Sequence, residues 1–221
     1  APATAPAGTT PPGSHDDLEP PRAFSDGVLA IIITVMVLGL AVPKGDTWTD
    51  LVHTSGLGLL TYLLSFVYVG IYWSNHHHLF QLRPAVDGVV LWANLHLLLW
   101  LSLYPFTTAW ITESHVAQVP TIVYGLNLLG AALAYTILQR TIARGPDGAR
   151  IREAFGHDLK GIVSRLLYLT GLGLSFVVPW LALVPYVIVA VIWLVPDRRV
   201  ERYLRAHADV AASEDEEGPT P

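Results

Sequence analysis

Residues 24–38, Phe24-Ser25-Asp26-Gly27-Val28-Leu29-Ala30-Ile31-Ile32-Ile33-Thr34-Val35-Met36-Val37-Leu38, set a Ser-Asp pair at the foot of an almost unbroken apolar run. An acidic side chain at a membrane edge is costly without a partner, so it marks either a structural latch or a conduction path. The run is long enough to begin a membrane span and too short to be more than one. Everything around it repeats that pattern.

Hydrophobic residues make up 52% of the 221-residue chain and charged residues only 14%, against about 25% charged in ordinary globular proteins. The charges are bunched between long apolar stretches, as in a protein that crosses the bilayer several times. With no cysteine, the chain has no disulfide, no thiolate zinc site and no cysteine nucleophile. The net charge of −5 owes much to the acidic residues Glu214, Asp215, Glu216 and Glu217. No basic face interleaved with aromatics points to nucleic acid.

A hydrocarbon core of about 30 Å needs about 20 apolar residues in a helix. Six segments meet that requirement, near 24–42, 50–74, 86–111, 119–138, 161–178 and 181–195. The predicted fold is therefore all-α, an integral membrane protein with six transmembrane helices across 22–200. A Pro-, Ala-, Gly- and Thr-rich tail at 1–21 and an acidic tail at 201–221 are expected to be disordered. No basic stretch precedes a short apolar core, so no cleaved signal peptide is read.

If both termini are cytoplasmic, twelve of the thirteen Lys and Arg residues lie inside and only Lys44 outside. That is a strong positive-inside bias, and an odd span count would spoil it. Pro105 should kink the third span, while Pro120 sits in the first turn of the fourth, where a missing N–H is harmless. No internal repeat is visible, which weakens a transporter built from inverted halves.

At 100° per residue, Ile31, Thr34, Val35 and Leu38 share a narrow stripe of the first helix, and Phe24 and Val28 continue it. Asp26 lies about 140° from Ile31, and Ser25 about 120° the other way. The polar pair and the stripe therefore face different neighbours. The stripe itself has two readings: ordinary helix packing, or a hydrophobic constriction built from several copies of this helix around an axis. Periodicity alone does not choose.

Phe24-Ser25-Asp26-Gly27-Val28, with Ala30, Ile31 and Thr34 after it, resembles the opening helix of the transmembrane protein 175 family of potassium channels. That family's signature is Arg-x-x-x-Phe-Ser-Asp at the start of helix one, in a six-span unit with both ends cytoplasmic. A second stretch, Tyr72-Trp73-Ser74-Asn75-His76-His77-His78-Leu79-Phe80, is similar to the family's His-containing end of helix two. The family arginine would fall at position 20, which is Pro20, while Arg22 stands two residues later.

The resemblance implies a homotetramer that conducts K⁺ passively through a pore lined by helix one. It maps the isoleucine constriction onto Ile31, the next apolar rings onto Val35 and Leu38, and a selectivity threonine onto Thr34. Arg22, Phe24, Ser25 and Asp26, with Asn75, His76 and His77, are expected to latch the first two helices together. The partners implied are K⁺, the bilayer and three further copies of the chain. The predicted location is a cell membrane, that of a bacterium given 11 Arg against 2 Lys.

Three consecutive histidines on a helix point 100° apart, so they cannot ligate one ion without unwinding it, and no metal or other cofactor is predicted. Asn94, His96, Asn127 and Gln139 are read as interhelical hydrogen-bonding groups. The alternative function is a proton-coupled secondary transporter with Asp26 and a histidine as relay. An enzyme is not expected: no nucleophile motif, His-Glu-x-x-His helix or phosphate loop occurs.

Overall fold

The first helix, α1, runs over Glu19–Leu38 in the computed structural model, which describes residues 19–81, 87–144 and 159–194. It starts earlier than the apolar count predicts because residues 20 and 21 are prolines in its first turn, where fixed φ and a missing N–H favour a helix start. It also stops earlier, at Leu38 rather than near 42, where Gly39 and Leu40 close the last turn on the carbonyls of Met36 and Val37. Residues 1–18 and 195–221 hold most of the expected tails and lie outside the described residues, as do the basic residues Arg150 and Arg152.

Helix α2 spans Trp48–Gln81, 34 residues, or about 51 Å at 1.5 Å per residue. That exceeds the thickness of a hydrocarbon core. Hydropathy stops this helix near 74, because Ser74-Asn75-His76-His77-His78 is polar. The backbone carries on, since those residues continue a helix once their side chains find partners.

Helices α3, Gly88–Ser102, and α4, Tyr104–Glu113, form one rod broken at Leu103. The break is the kink expected of Pro105, which lies in the first turn of α4. It falls ahead of the proline because the ring crowds the carbonyl four residues back and disfavours helical backbone just before it. Asp87 caps α3, its carboxylate accepting from the Val90 N–H at 2.9 Å.

Helix α5 is Gln118–Ile142, α6 is Leu159–Ser175 and α7 is Pro179–Leu194. The turn between the last two is residues 176–178, and Pro179, expected within the separation, instead opens α7. Among the described residues, three stretches of 18 residues or more are apolar enough to cross a membrane: Trp48–Phe80, the α3–α4 rod Gly88–Glu113, and Gln118–Ile142. Helix α7 is a shorter apolar helix of 16 residues.

Helix α1 packs on α2, α3 and α4, whereas α6 and α7 pack on each other and on α5. The core between them is aromatic: Tyr68, Tyr104, Tyr124 and Tyr186 are fully buried, and Tyr168 nearly so. Their rings stand 6.0–6.3 Å apart in tilted pairs, a spacing that lets ring edges meet ring faces. Hydroxyl groups tie the same helices together. Ser65 meets Thr108 at 2.7 Å and Tyr124 at 3.0 Å, Thr61 meets Thr112 at 2.6 Å, and Tyr68 donates to the Tyr186 carbonyl at 2.5 Å. Where no water competes, such bonds set the register of neighbouring helices.

Candidate functional site

Helix α1 has two faces. Ser25, Leu29, Ile32 and Met36 recur at helical spacing and are all 5% exposed or less. They seat the helix on α2, α3 and α4. The opposite side carries Phe24 at 56% exposure, Ile31 at 62%, Val35 at 46% and Leu38 at 80%. Thr34 is exposed on that same side. Among the described residues, a column of large apolar side chains that are about half or more exposed therefore runs along α1.

The Thr34 hydroxyl donates back to its own helix, sharing its hydrogen between the carbonyls of Ile31 at 2.9 Å and Ala30 at 3.1 Å. With its proton occupied there, the oxygen keeps lone pairs as its outward chemistry, which is what a cation needs.

At the foot of α1, Ser25 is 0% exposed and meets Asn94 of α3, whose Nδ2 donates to Ser25 Oγ at 2.9 Å. The other side of that amide, Oδ1, lies 2.8 Å from His76 Nε2. Because Oδ1 only accepts, the network assigns the proton to His76 Nε2. The His76 ring also lies tilted against Phe80, with ring centroids 4.5 Å apart. One buried chain of hydrogen bonds thus joins α1, α3 and α2.

Asp26 is exposed and accepts from Trp73 Nε1 at 2.9 Å. The Trp73 ring in turn stacks on His77 at 6.0 Å. Arg22 Nη2 donates to the carbonyl of Phe80, so a guanidinium on α1 satisfies a carbonyl in the last turn of α2. A cation at a helix C-terminus also suits the helix dipole.

Two of the residues expected in the latch stand apart from this network. Asn75 turns its Nδ2 to the Ile71 carbonyl of its own helix at 2.8 Å, and Asn94 takes the bridging position instead. Phe24 is on the uncovered side with Ile31. Sequence reading marked Asn94 as an interhelical donor without linking it to Ser25, and Trp73 was missed because an interfacial tryptophan needs no special role. Of the other polar groups, Asn127 Nδ2 does reach across to Thr107 at 3.3 Å. His96 instead accepts from Trp100 Nε1 within α3, at 3.1 Å. Among the described residues, no three His, Asp or Glu side chains converge as a metal site would require.

Comparison with known proteins places these features in a family. A family model described as the endosomal/lysosomal potassium channel TMEM175 matches residues 22–105, which include most of α1 and all of α2 and α3. The chain is 50% identical to a potassium channel of Chryseobacterium sp. (strain P1-3) over 185 residues, covering 83% of this chain and 96% of that protein. It is 36% identical to a potassium channel of Streptomyces collinus over 124 residues, 53% of this chain and 60% of the relative. The crystal structure of a lysosomal potassium-selective channel TMEM175 homolog from Chamaesiphon minutus superposes with a TM-score of 0.66 at 29% identity. That match covers 81% of this chain and 97% of the other. By its sequence along nearly the whole of a curated relative, and by its fold, the chain belongs to the TMEM175 family.

Proposed function

We propose that the chain is a passive potassium channel of the bacterial plasma membrane, in which four copies bring their α1 helices together around one axis. The observation that carries this reading is the uncovered column Phe24, Ile31, Val35 and Leu38, interrupted by the outward hydroxyl oxygen of Thr34. The relatives named potassium channels at 50% and 36% identity support K⁺ as the permeant ion. Six rods, α1, α2, α3–α4, α5, α6 and α7, each cross the membrane once, with both termini on the cytoplasmic side as the positive-inside bias requires.

The mechanism follows from ion hydration. Four Ile31 side chains around an axis leave a gap too narrow for a hydrated ion and offer no oxygen cage in return. An ion must shed water there, so the barrier is high and conductance low. K⁺ loses water more cheaply than Na⁺, which gives modest selectivity, and four Thr34 oxygens one turn away replace part of what is lost. Ser25, Asn94, His76 and Arg22 act as positioning residues that hold α1 at the angle where Ile31 meets its copies.

The relay reading of Asp26 has no comparable support, because Asp26 is held by Trp73 and His76 by Asn94. Vesicles carrying the purified protein, loaded with K⁺ and diluted into Na⁺ medium, test the proposal. The expected result is K⁺ efflux without a coupling ion, together with slower Na⁺ flux in the reverse experiment. Flux that requires an opposing proton gradient overturns the channel in favour of a coupled transporter.

A further inference from the structure

We propose that the cleft between α2, α5, α6 and α7 is a hydration site, in which a small cluster of ordered waters joins α2 to α5 and α6. The cleft leaves water centres about 40 Å³ to occupy. One water needs at least ~10–15 Å³ of such space, so about three fit and a larger ligand does not. Tyr72 and Asn75 of α2 line the cleft with Gln139 of α5, Ser164 and Tyr168 of α6, and Trp193 of α7. Each of these six side chains carries a hydrogen-bonding group.

Space alone does not hold a water, which also needs two to four polar partners. The Tyr72 side chain is 7% exposed, and among the described residues its hydroxyl bonds to no protein group. Asn75 commits its Nδ2 to the Ile71 carbonyl at 2.8 Å, which leaves Oδ1 as a further acceptor. The side-chain amide of Gln139 likewise makes no hydrogen bond to the protein among the described residues. A buried hydroxyl left without a partner is costly, and a bound water removes that cost.

The far wall needs no such help. Ser164 Oγ accepts from Trp193 Nε1 at 2.8 Å and donates to the Lys160 carbonyl at 2.7 Å. Arg165 Nη1 donates to Thr136 Oγ1 at 3.0 Å, which ties α6 to α5. Hydrogen bonding is thus direct among α5, α6 and α7, and on the α2 side of the cleft it runs through water at Tyr72 and Asn75. The wet joint flanks the turn of α2 that carries the latch, since Asn75 lines the cleft and the next residue, His76, binds Asn94.

The test is radiolytic footprinting of the purified full-length protein in detergent, where hydroxyl radicals formed from bound water oxidise the side chains that touch it. Tyr72 and Tyr168 should be oxidised several-fold faster than Tyr104 and Tyr124, which are also buried and do not line the cleft. A scavenger acting in bulk solvent should suppress oxidation of the exposed Trp48 and spare Tyr72 and Tyr168. Ala132→Leu, on the cleft wall, should fill the space and bring both rates down to that of Tyr124. It should also lower the thermal midpoint, because the Tyr72 hydroxyl loses its waters; in a dry cavity the same filling would raise it. Wild-type rates no faster than that of Tyr124, rates that fall with Trp48 under the scavenger, or a midpoint that does not fall overturn the proposal. Should the variant fail to fold, the wild-type rates with and without scavenger decide alone.

Discussion

Asn94 is the side chain on which the foot of α1 depends. Its amide serves Ser25 with one end and His76 with the other, and all three residues are at most 3% exposed. Asn94→Leu would take away the hydrogen bond to the buried His76 imidazole and one of the bonds to the Ser25 hydroxyl, and the loss at the imidazole alone costs about 1–3 kcal/mol. The expected result is a thermal midpoint in detergent lowered by several degrees. The triple variant Ser25→Ala, His76→Leu, Asn94→Leu, which removes every member at once, should recover much of that loss. A midpoint unmoved by Asn94→Leu contradicts the role given to the network. Asp26, the more conspicuous residue in the sequence, has the more exposed and less costly bond, to Trp73.

At the scale of elements, small residues let α5, α6 and α7 come close. A Cβ added at Gly171 would overlap the Tyr186 ring, and one at Gly125 would overlap its hydroxyl, whereas one at Gly173 would meet nothing within 4 Å. Gly171→Ala should therefore destabilise by about 1–3 kcal/mol through overpacking. Gly173→Ala, on the same helix, should be neutral or slightly stabilising, since it also relieves the entropy cost of a helical glycine. Thermal unfolding of the two variants side by side checks this, and equal losses would refute the packing argument. The turn between α4 and α5 is the strained one: His115 and Val116 adopt φ of 52° and 62°, values unusual for any residue other than glycine and most of all for a β-branched one.

These elements show how far the sequence could be read. Apolar length locates the helices, and helical angles separate the buried from the uncovered side of α1, because both depend only on local pattern. The extension of α2 to Gln81 was hidden, since its polar last turns are stabilised by Arg22 and Asn94 from helices distant in sequence. The same reason hid the exchange of Asn75 for Asn94: sequence offers both amides, and only the packing of α3 against α1 selects one.

At the scale of the whole molecule, the account rests on α1 facing copies of itself. The chain has no cysteine, so single replacements report on that face without background. Leu38→Cys, at 80% exposure, should form a disulfide-linked dimer under mild oxidation in the membrane, and Met36→Cys, at 5%, should not. Equal cross-linking of both, or of neither, argues against an α1 axis.

The most direct measurement is the K⁺/Na⁺ flux ratio of Ile31→Asn beside wild type, in vesicles at matched protein content. In the proposed tetramer, a polar ring in place of four isoleucines lowers the dehydration barrier, so K⁺ flux should rise and the ratio should fall toward one. If both the flux and the ratio stay at the wild-type values, Ile31 is not the constriction and the pore does not run along α1.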